Sequence, residues 1–443
     1  MKKKLLAVLL AGAMTVSMFT ACGSSSSSSE STSSESSSSS ESTSSESSSS
    51  EASTEASTTT STGAGETITI WVADAVTSLT QTMAEEFMSE NGYEYTIVVE
   101  SVGEGDAASN MITDVEGGAD IYGFAQDQLA RLVAAGAVQQ LTGTGYDTTI
   151  EEENGAGSVA AATFGSTLYA FPMSADNGYF LYYDSSVITD PTSLEQIVAD
   201  CEAAGKNFYF EINSGWYQVA FFFGTGCTLT YETNDDGTFA SCDIDYASDA
   251  GLVALKEIIE LQSSSSFQNG SSLSSATNVA AIVDGTWDSE AAKELLGDNY
   301  AAAALPSFVG SDGETYQLSS FSGYKLLGVK PQTDADKLRA CLELAQYLTS
   351  EECQLERFNE VGWGPSNLAA QEDEAVQADV ALSALTEQSN YSIGQGQYPD
   401  DYWTLATALG DDIISGNITS STSDEDLMAT LEDFETKCIS CAQ

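Results

Sequence analysis

From Thr67 onward the sequence switches repeatedly between the two-residue period of a strand and the 3.6-residue period of a helix. No other feature limits the possible folds so much. Thr67-Ile68-Thr69-Ile70-Trp71-Val72 alternates polar and apolar side chains, as a half-buried strand does. Leu79, Met83 and Phe87 then recur every four residues on one helix face, and Asn91-Gly92 supplies a C-cap. Tyr95, Ile97 and Val99 alternate again. A helix over residues 106–115 and a strand over 119–124 follow, and Leu129, Leu132 and Val133 mark a helix stopped at Gly136. Short connections between such units predict a parallel sheet with helices on both faces. Ligands meet such sheets at the carboxyl ends of the strands.

The N-terminus sets the compartment. Lys2, Lys3 and Lys4 precede an apolar run from Leu5 to Phe19, too short for a transmembrane helix and flanked as a signal peptide is. Phe19-Thr20-Ala21-Cys22 resembles a bacterial lipobox, which implies cleavage before Cys22 and lipidation of its sulfur, two acyl chains being enough for stable anchoring. Residues 23–65 are almost wholly Ser, Thr and Glu, which cannot bury enough surface to offset the entropy of ordering. They read as a disordered tether spanning roughly 35 Å. The 378 residues from 66 to 443 have a globular composition and exceed the size of a single core, so two lobes are expected.

The net charge of −54 argues against nucleic acid and against anionic membrane surfaces, so membrane contact is expected through the lipid alone. The chain has no histidine, which removes Ser-His-Asp and Cys-His catalysis and disfavours a zinc or copper site. Neither a metal nor a cofactor is expected. Besides Cys22 there are seven cysteines, at 201, 227, 242, 341, 353, 438 and 441, an odd number for an exported domain. Cys438 and Cys441 have CxxC spacing without the flanking elements of a redox domain. Cys227 and Cys242 bracket a hairpin pattern with the turn signal Asn234-Asp235-Asp236-Gly237. A turn centred on residues 234–235 brings the two sulfurs together as a disulfide; one centred on 236–237 pairs Cys242 with Tyr231 instead.

Five stretches carry a family resemblance in the correct order: ITIWVADAV with AEEFMSENG (68–92), VEGGADIYGFAQDQLARLVAAGAVQQL (115–141), LYAFPMSADNGYFLYYDSSV (168–187), AAIVDGTWDSEAAKELLGDNYAAAALPS (280–307) and GYKLLGVKP (323–331). Together they resemble the extracellular sugar-binding proteins of maltose/maltodextrin type that serve ATP-driven importers. The resemblance implies a type II periplasmic-binding-protein fold, an α/β architecture of two lobes around a ligand cleft with a multi-crossing hinge. The crossings are expected near 174–177, 306–322 and 365–371. Lobe 1 is then 66–174 with a return segment at 306–370, and lobe 2 is 175–305 with C-terminal helices at 371–443. It further implies an oligosaccharide ligand, ABC permease subunits as partners, a monomer, and a place on the outer face of the cell membrane.

Sugar recognition needs aromatic faces against pyranose C–H groups and planar acceptors for hydroxyls that would otherwise be buried unpaired at about 1–3 kcal/mol each. Trp71 and Asp74 lie at the carboxyl end of the first strand, and Phe124, Asp127 and Gln128 at that of the third. In the family these motif positions carry ligand contacts. Relatives have Lys or Arg beside the carboxylates where this chain has Ala75 and Gln128. The resemblance adds Asp176 at the hinge, Trp287 after Gly285-Thr286, and Trp403 in the C-terminal helices; Trp216 and Tyr217 complete the set from the second lobe. Trp363, between Gly362 and Gly364, is expected to pack at the third crossing. An enzyme, such as a glycosidase using two carboxylates, is the rival from another class. A purely adhesive surface protein is another, and a polyamine or a different oligosaccharide is the alternative ligand on the same fold.

Overall fold

The computed structural model describes residues 62–442. The leader, Cys22 and nearly all of the tether lie outside them. Among the described residues no helix is long and apolar enough to cross a membrane.

The expected alternation folds into a five-stranded sheet ordered Thr96–Ser101, Thr67–Val72, Ile121–Ala125, Lys325–Val329, Ala170–Ser174. The first strand pairs in parallel with both neighbours. Lys325–Val329 instead runs antiparallel to the strands beside it, so the sheet is mixed rather than all-parallel. The reason is topological: this strand enters from the second lobe, not through a βαβ crossover. Helix Thr77–Asn91 buries Met83, Ala84, Phe87 and Met88 against the sheet and ends at Gly92 with φ 72°, a left-handed cap that suits glycine. Ile68, Ile70, Tyr122, Phe124, Leu326 and Leu327 lie in this first core, each at most 1% exposed.

The second sheet is ordered Phe267–Gln268, Asn207–Tyr209, Val279–Gly285, Tyr179–Asp184, Tyr300–Ala303. Val279–Gly285 is buried at every position, as a central strand covered on both faces must be. Helix Gly215–Gly224 buries Phe221, Phe222 and Phe223, and the C-terminal helices Asp400–Ile414 and Asp424–Ser440 close over the same core. Leu305, Phe308, Leu318 and Phe321 also belong to it. The return to the first sheet therefore comes at Lys325, later than residue 306, because those apolar side chains are buried by the second core.

The chain passes between the sheets along neighbouring segments. Ala175 N–H bonds to the Gly364 carbonyl at 2.9 Å, and Asn177 N–H to that of Gly323 at 3.2 Å. The described backbone of three crossings is thus laced side by side.

The hairpin Leu229–Thr233/Phe239–Ile244 corrects the disulfide expectation. Its turn closes over Asn234–Thr238, with Gly237 at φ 84°, Asp236 accepting from Thr238, and an irregularity between Phe239 and Ser241. That register sets Cys242 opposite Tyr231. Cys227 sits before the hairpin near Ser248, and all seven described cysteines are free.

Candidate functional site

A cavity of about 660 Å³ lies between the two sheets, at the carboxyl end of the first and third strands of the first sheet. From that side come Ala73, Asp74, Ala75, Glu104, Asp127 and Gln128; from the other come Trp216, Tyr217, Trp287, Asp288 and Trp403. The crossing segments contribute Asn177, Lys325 and Trp363. A second cavity, of about 580 Å³, lies along the crossing strands with Tyr324 as its one aromatic. It holds none of the indole faces, so the interlobe cavity is the candidate site.

The aromatic wall is built by close packing. Trp216 lies 5.7 Å from Trp287 and 5.0 Å from Tyr217 between ring centroids. A Cβ on residue 285 would stand 2.1 Å from the Trp287 ring, so only glycine lets this indole fold back on its own strand. A Cβ on residue 215 would meet Ala406 at 2.6 Å and Trp403 at 3.3 Å, so glycine also lets the helix carrying Trp403 approach. Trp403 rests on Tyr402 and Tyr398, with centroids at 4.8 and 5.4 Å. Trp216 Nε1 donates to Gln395 Oε1 at 3.2 Å.

The opposite wall carries acceptors without donors. Glu104 Oε1, Asp127 Oδ1 and Gln128 Oε1 are buried and unpartnered in the protein. The Gln128 amide donates to the Gly105 carbonyl at 2.8 Å, which leaves its own carbonyl for a ligand. Burial pushes the Asp127 carboxyl up to about 7, and also raises Glu104, which Lys325 partly opposes. Such groups cost about 1–3 kcal/mol each until a hydroxyl donates to them.

At the floor, Lys325 Nζ sits 3.9 Å from the Trp363 ring centroid, 5.1 Å from that of Trp287 and 3.3 Å from Asp176 Oδ1. Asp176 is saturated: Ser174 Oγ and the Thr286 hydroxyl also donate to it, as does Gly364 N–H at 2.8 Å. One carboxylate therefore joins all three crossing segments to the second lobe.

Of the residues singled out from sequence, the cavity brings together Asp74, Asp127, Gln128, Trp216, Tyr217, Trp287 and Trp403. Three are elsewhere. Phe124 is fully buried against Tyr122 in the first core, because its strand is covered on both faces. Trp71 turns along its sheet, its Nε1 donating to Glu100 on the neighbouring strand at 2.8 Å. Asp176 spends its oxygens on the hinge and does not line the cavity. Trp363 does pack at the crossing, 2% exposed, yet its ring also lines the cavity with Nε1 unpartnered.

Glu104, Lys325 and Gln395 were missed. Glu104 follows the second strand, where the carboxyl-end rule applies equally. Lys325 opens the apolar run Leu326–Val329, an unusual place for one of only 13 basic residues. Gln395 has no local signal.

Asp127 gives a pH-dependent expectation. Its folded pKa lies above the ordinary carboxylate value, so the folded state favours the proton and stability falls as pH rises from about 4 to about 7. Each pH unit in that window removes about 1.4 kcal/mol. Asp127→Asn should therefore match the native chain near pH 4 and exceed its melting temperature increasingly up to pH 7, with a constant gap beyond. Parallel thermal melts with no growing gap would contradict the burial argument.

Comparison with known proteins places this geometry. Residues 82–384 match a family described as bacterial extracellular solute-binding protein. The galactooligosaccharide-binding protein of Bacillus subtilis (strain 168) is 24% identical over 318 residues, covering 68% of this chain and 73% of that one. A structure solved with acarbose superposes with a TM-score of 0.74 at 27% identity, over 85% of this chain and 100% of its own. A maltodextrin-binding protein from L. casei BL23, solved without ligand, superposes at 0.69 and 21% identity, over 85% of this chain and 99% of its own.

Proposed function

The chain belongs to the bacterial extracellular solute-binding protein family, and from that premise we propose that it is the lipid-anchored receptor of an ATP-driven importer for a malto-oligosaccharide. The sugar binds in the interlobe cavity and passes to the permease subunits, with Cys22 holding the protein at the outer face of the membrane. The protein acts as a monomer and without a cofactor. One observation carries the reading. Indole faces of Trp216, Trp287 and Trp403 stand across one cavity from the unpartnered acceptors Glu104, Asp127 and Gln128. Faces of that kind cover the C–H sides of pyranose rings, and acceptors of that kind take their hydroxyl protons.

The relatives named above are described with galacto- and malto-type sugars or acarbose, which supports the oligosaccharide class. The lobes are those drawn from the sequence, with the return taken at Lys325, and ligand held by both closes them about the laced crossings. A thermal-shift screen of maltotriose, a galacto-oligosaccharide, putrescine and spermidine identifies the ligand, and X-ray scattering with and without it tests closure. The expected result is a raised melting temperature with maltotriose and a smaller radius of gyration. Stabilisation by a polyamine alone overturns the sugar; shorter products from maltotriose would make the protein a glycosidase.

A further inference from the structure

Tyr231 and Cys242 face each other across the hairpin. The hairpin leans on the last helix, Asp424–Ser440, where the Tyr231 hydroxyl donates to the Cys438 carbonyl at 3.1 Å. Just past the hairpin, Ala247 N–H donates to Glu435 of the same helix at 2.6 Å. Cys242 and Cys441 are both partly buried against the same core, and the Cys441 thiol, three residues beyond Cys438, donates to the Lys437 carbonyl at 3.3 Å. The hairpin thus brings Cys242 to the end of the helix that carries Cys438 and Cys441, in a family whose members work outside the cell, where disulfides persist. Cys438 is fully buried, whereas Cys242 and Cys441 keep solvent access.

We infer that Cys242 and Cys441 are a disulfide-forming pair whose oxidation ties the hairpin to the C-terminal helix. The exchange needs an oxidant of the disulfide class. The Cys441 thiolate attacks one sulfur of that disulfide and expels a thiolate. Cys242 then attacks the Cys441 sulfur of the mixed disulfide and expels the second. Two protons leave the protein thiols and end on the two released thiols, so the balance is two thiols plus one disulfide in, one disulfide plus two thiols out. Burial raises both thiols, Cys242 to about 11, so little thiolate is present to begin the exchange, and as poor leaving groups the same thiols slow its reversal. The tie lies behind the binding site: Tyr231 packs on Tyr398 and Tyr402, the two rings under Trp403.

The test takes the full chain through prolonged incubation with oxidised glutathione, then acid quench, alkylation in denaturant and non-reducing peptide mapping. The expected product joins the Cys242 and Cys441 peptides. Cys242 recovered alkylated, or joined to Cys227 or Cys438, overturns the assignment, as does a Cys438–Cys441 linkage. A second readout is stability. Closing a loop this long constrains the unfolded chain strongly. Cys441→Ser should lower the melting temperature of the oxidised protein by several degrees and leave that of the reduced protein unchanged. An equal effect in both states means the serine acts through packing, and the pair is not formed.

Discussion

Asp176→Ala is expected to lower the stability of the protein by about 3–5 kcal/mol, the range for removing one partner of a buried ion pair. Asp176 is 1% exposed and Lys325 4%. With the carboxylate gone, the ammonium keeps two indole faces but loses its ion-pair partner, and the Thr286 hydroxyl and Gly364 N–H lose their acceptor. Urea unfolding followed by fluorescence reads the loss as a lower midpoint. Lys325→Met placed on top of Asp176→Ala should recover part of it, because an apolar side chain between Trp287 and Trp363 carries no uncompensated charge. If Asp176→Ala alone leaves the midpoint where it was, the pair contributes no net energy and the crossings are held by their backbone bonds. The double variant separates a charge effect from a packing defect: recovery belongs to charge.

Trp287→Ala is expected to weaken oligosaccharide binding by 30-fold or more, about 2 kcal/mol, as truncation of a central aromatic anchor does. Trp287 is half-buried, packs on Trp216 at 5.7 Å and lies 5.1 Å from Lys325 Nζ, so its loss removes a stacking face and uncovers the cation together. Trp71→Ala is the matched control. It deletes an indole bonded to Glu100 outside the cavity, and the dissociation constant for maltotriose should stay within about twofold. Calorimetric titration of both variants decides between the two walls. A loss from Trp71→Ala with none from Trp287→Ala would place the ligand along the first strand and away from the indole cluster. Trp363→Ala differs from either, because that ring is both core and cavity floor, and should cost stability and affinity together.

Much of the site was legible because strand ends and caps are local facts. The helix from Thr77 ends at Gly92, where the Asn91-Gly92 signal put it. Asp74, Asp127 and Gln128 stand at the carboxyl ends of two strands that the sequence reading had already placed. Phe124 was misread on the same rule: the rule names a strand end but not which face is covered, and this strand is covered on both. The hairpin shows the same limit more sharply. Its turn residues were identified, yet the turn closes over residues 234–238 instead of centring on 234–235, and with a one-residue irregularity after Phe239 this sets Tyr231, not Cys227, opposite Cys242.

The periods of 2 and 3.6, the glycines that cap helices, the charge and the absence of histidine are properties of neighbouring residues or of composition, and they determined the α/β class, removed histidine-based catalysis and argued against nucleic-acid binding. What three-dimensional packing alone decided is where distant side chains meet. Asp176 takes its bonds from Thr286, Lys325 and Gly364, which lie 110, 149 and 188 residues away. Gln395 meets Trp216 across 179 residues. No local preference encodes such pairs. They exist because burial leaves a polar group no water to bond with, so it must find whatever partner the fold brings beside it.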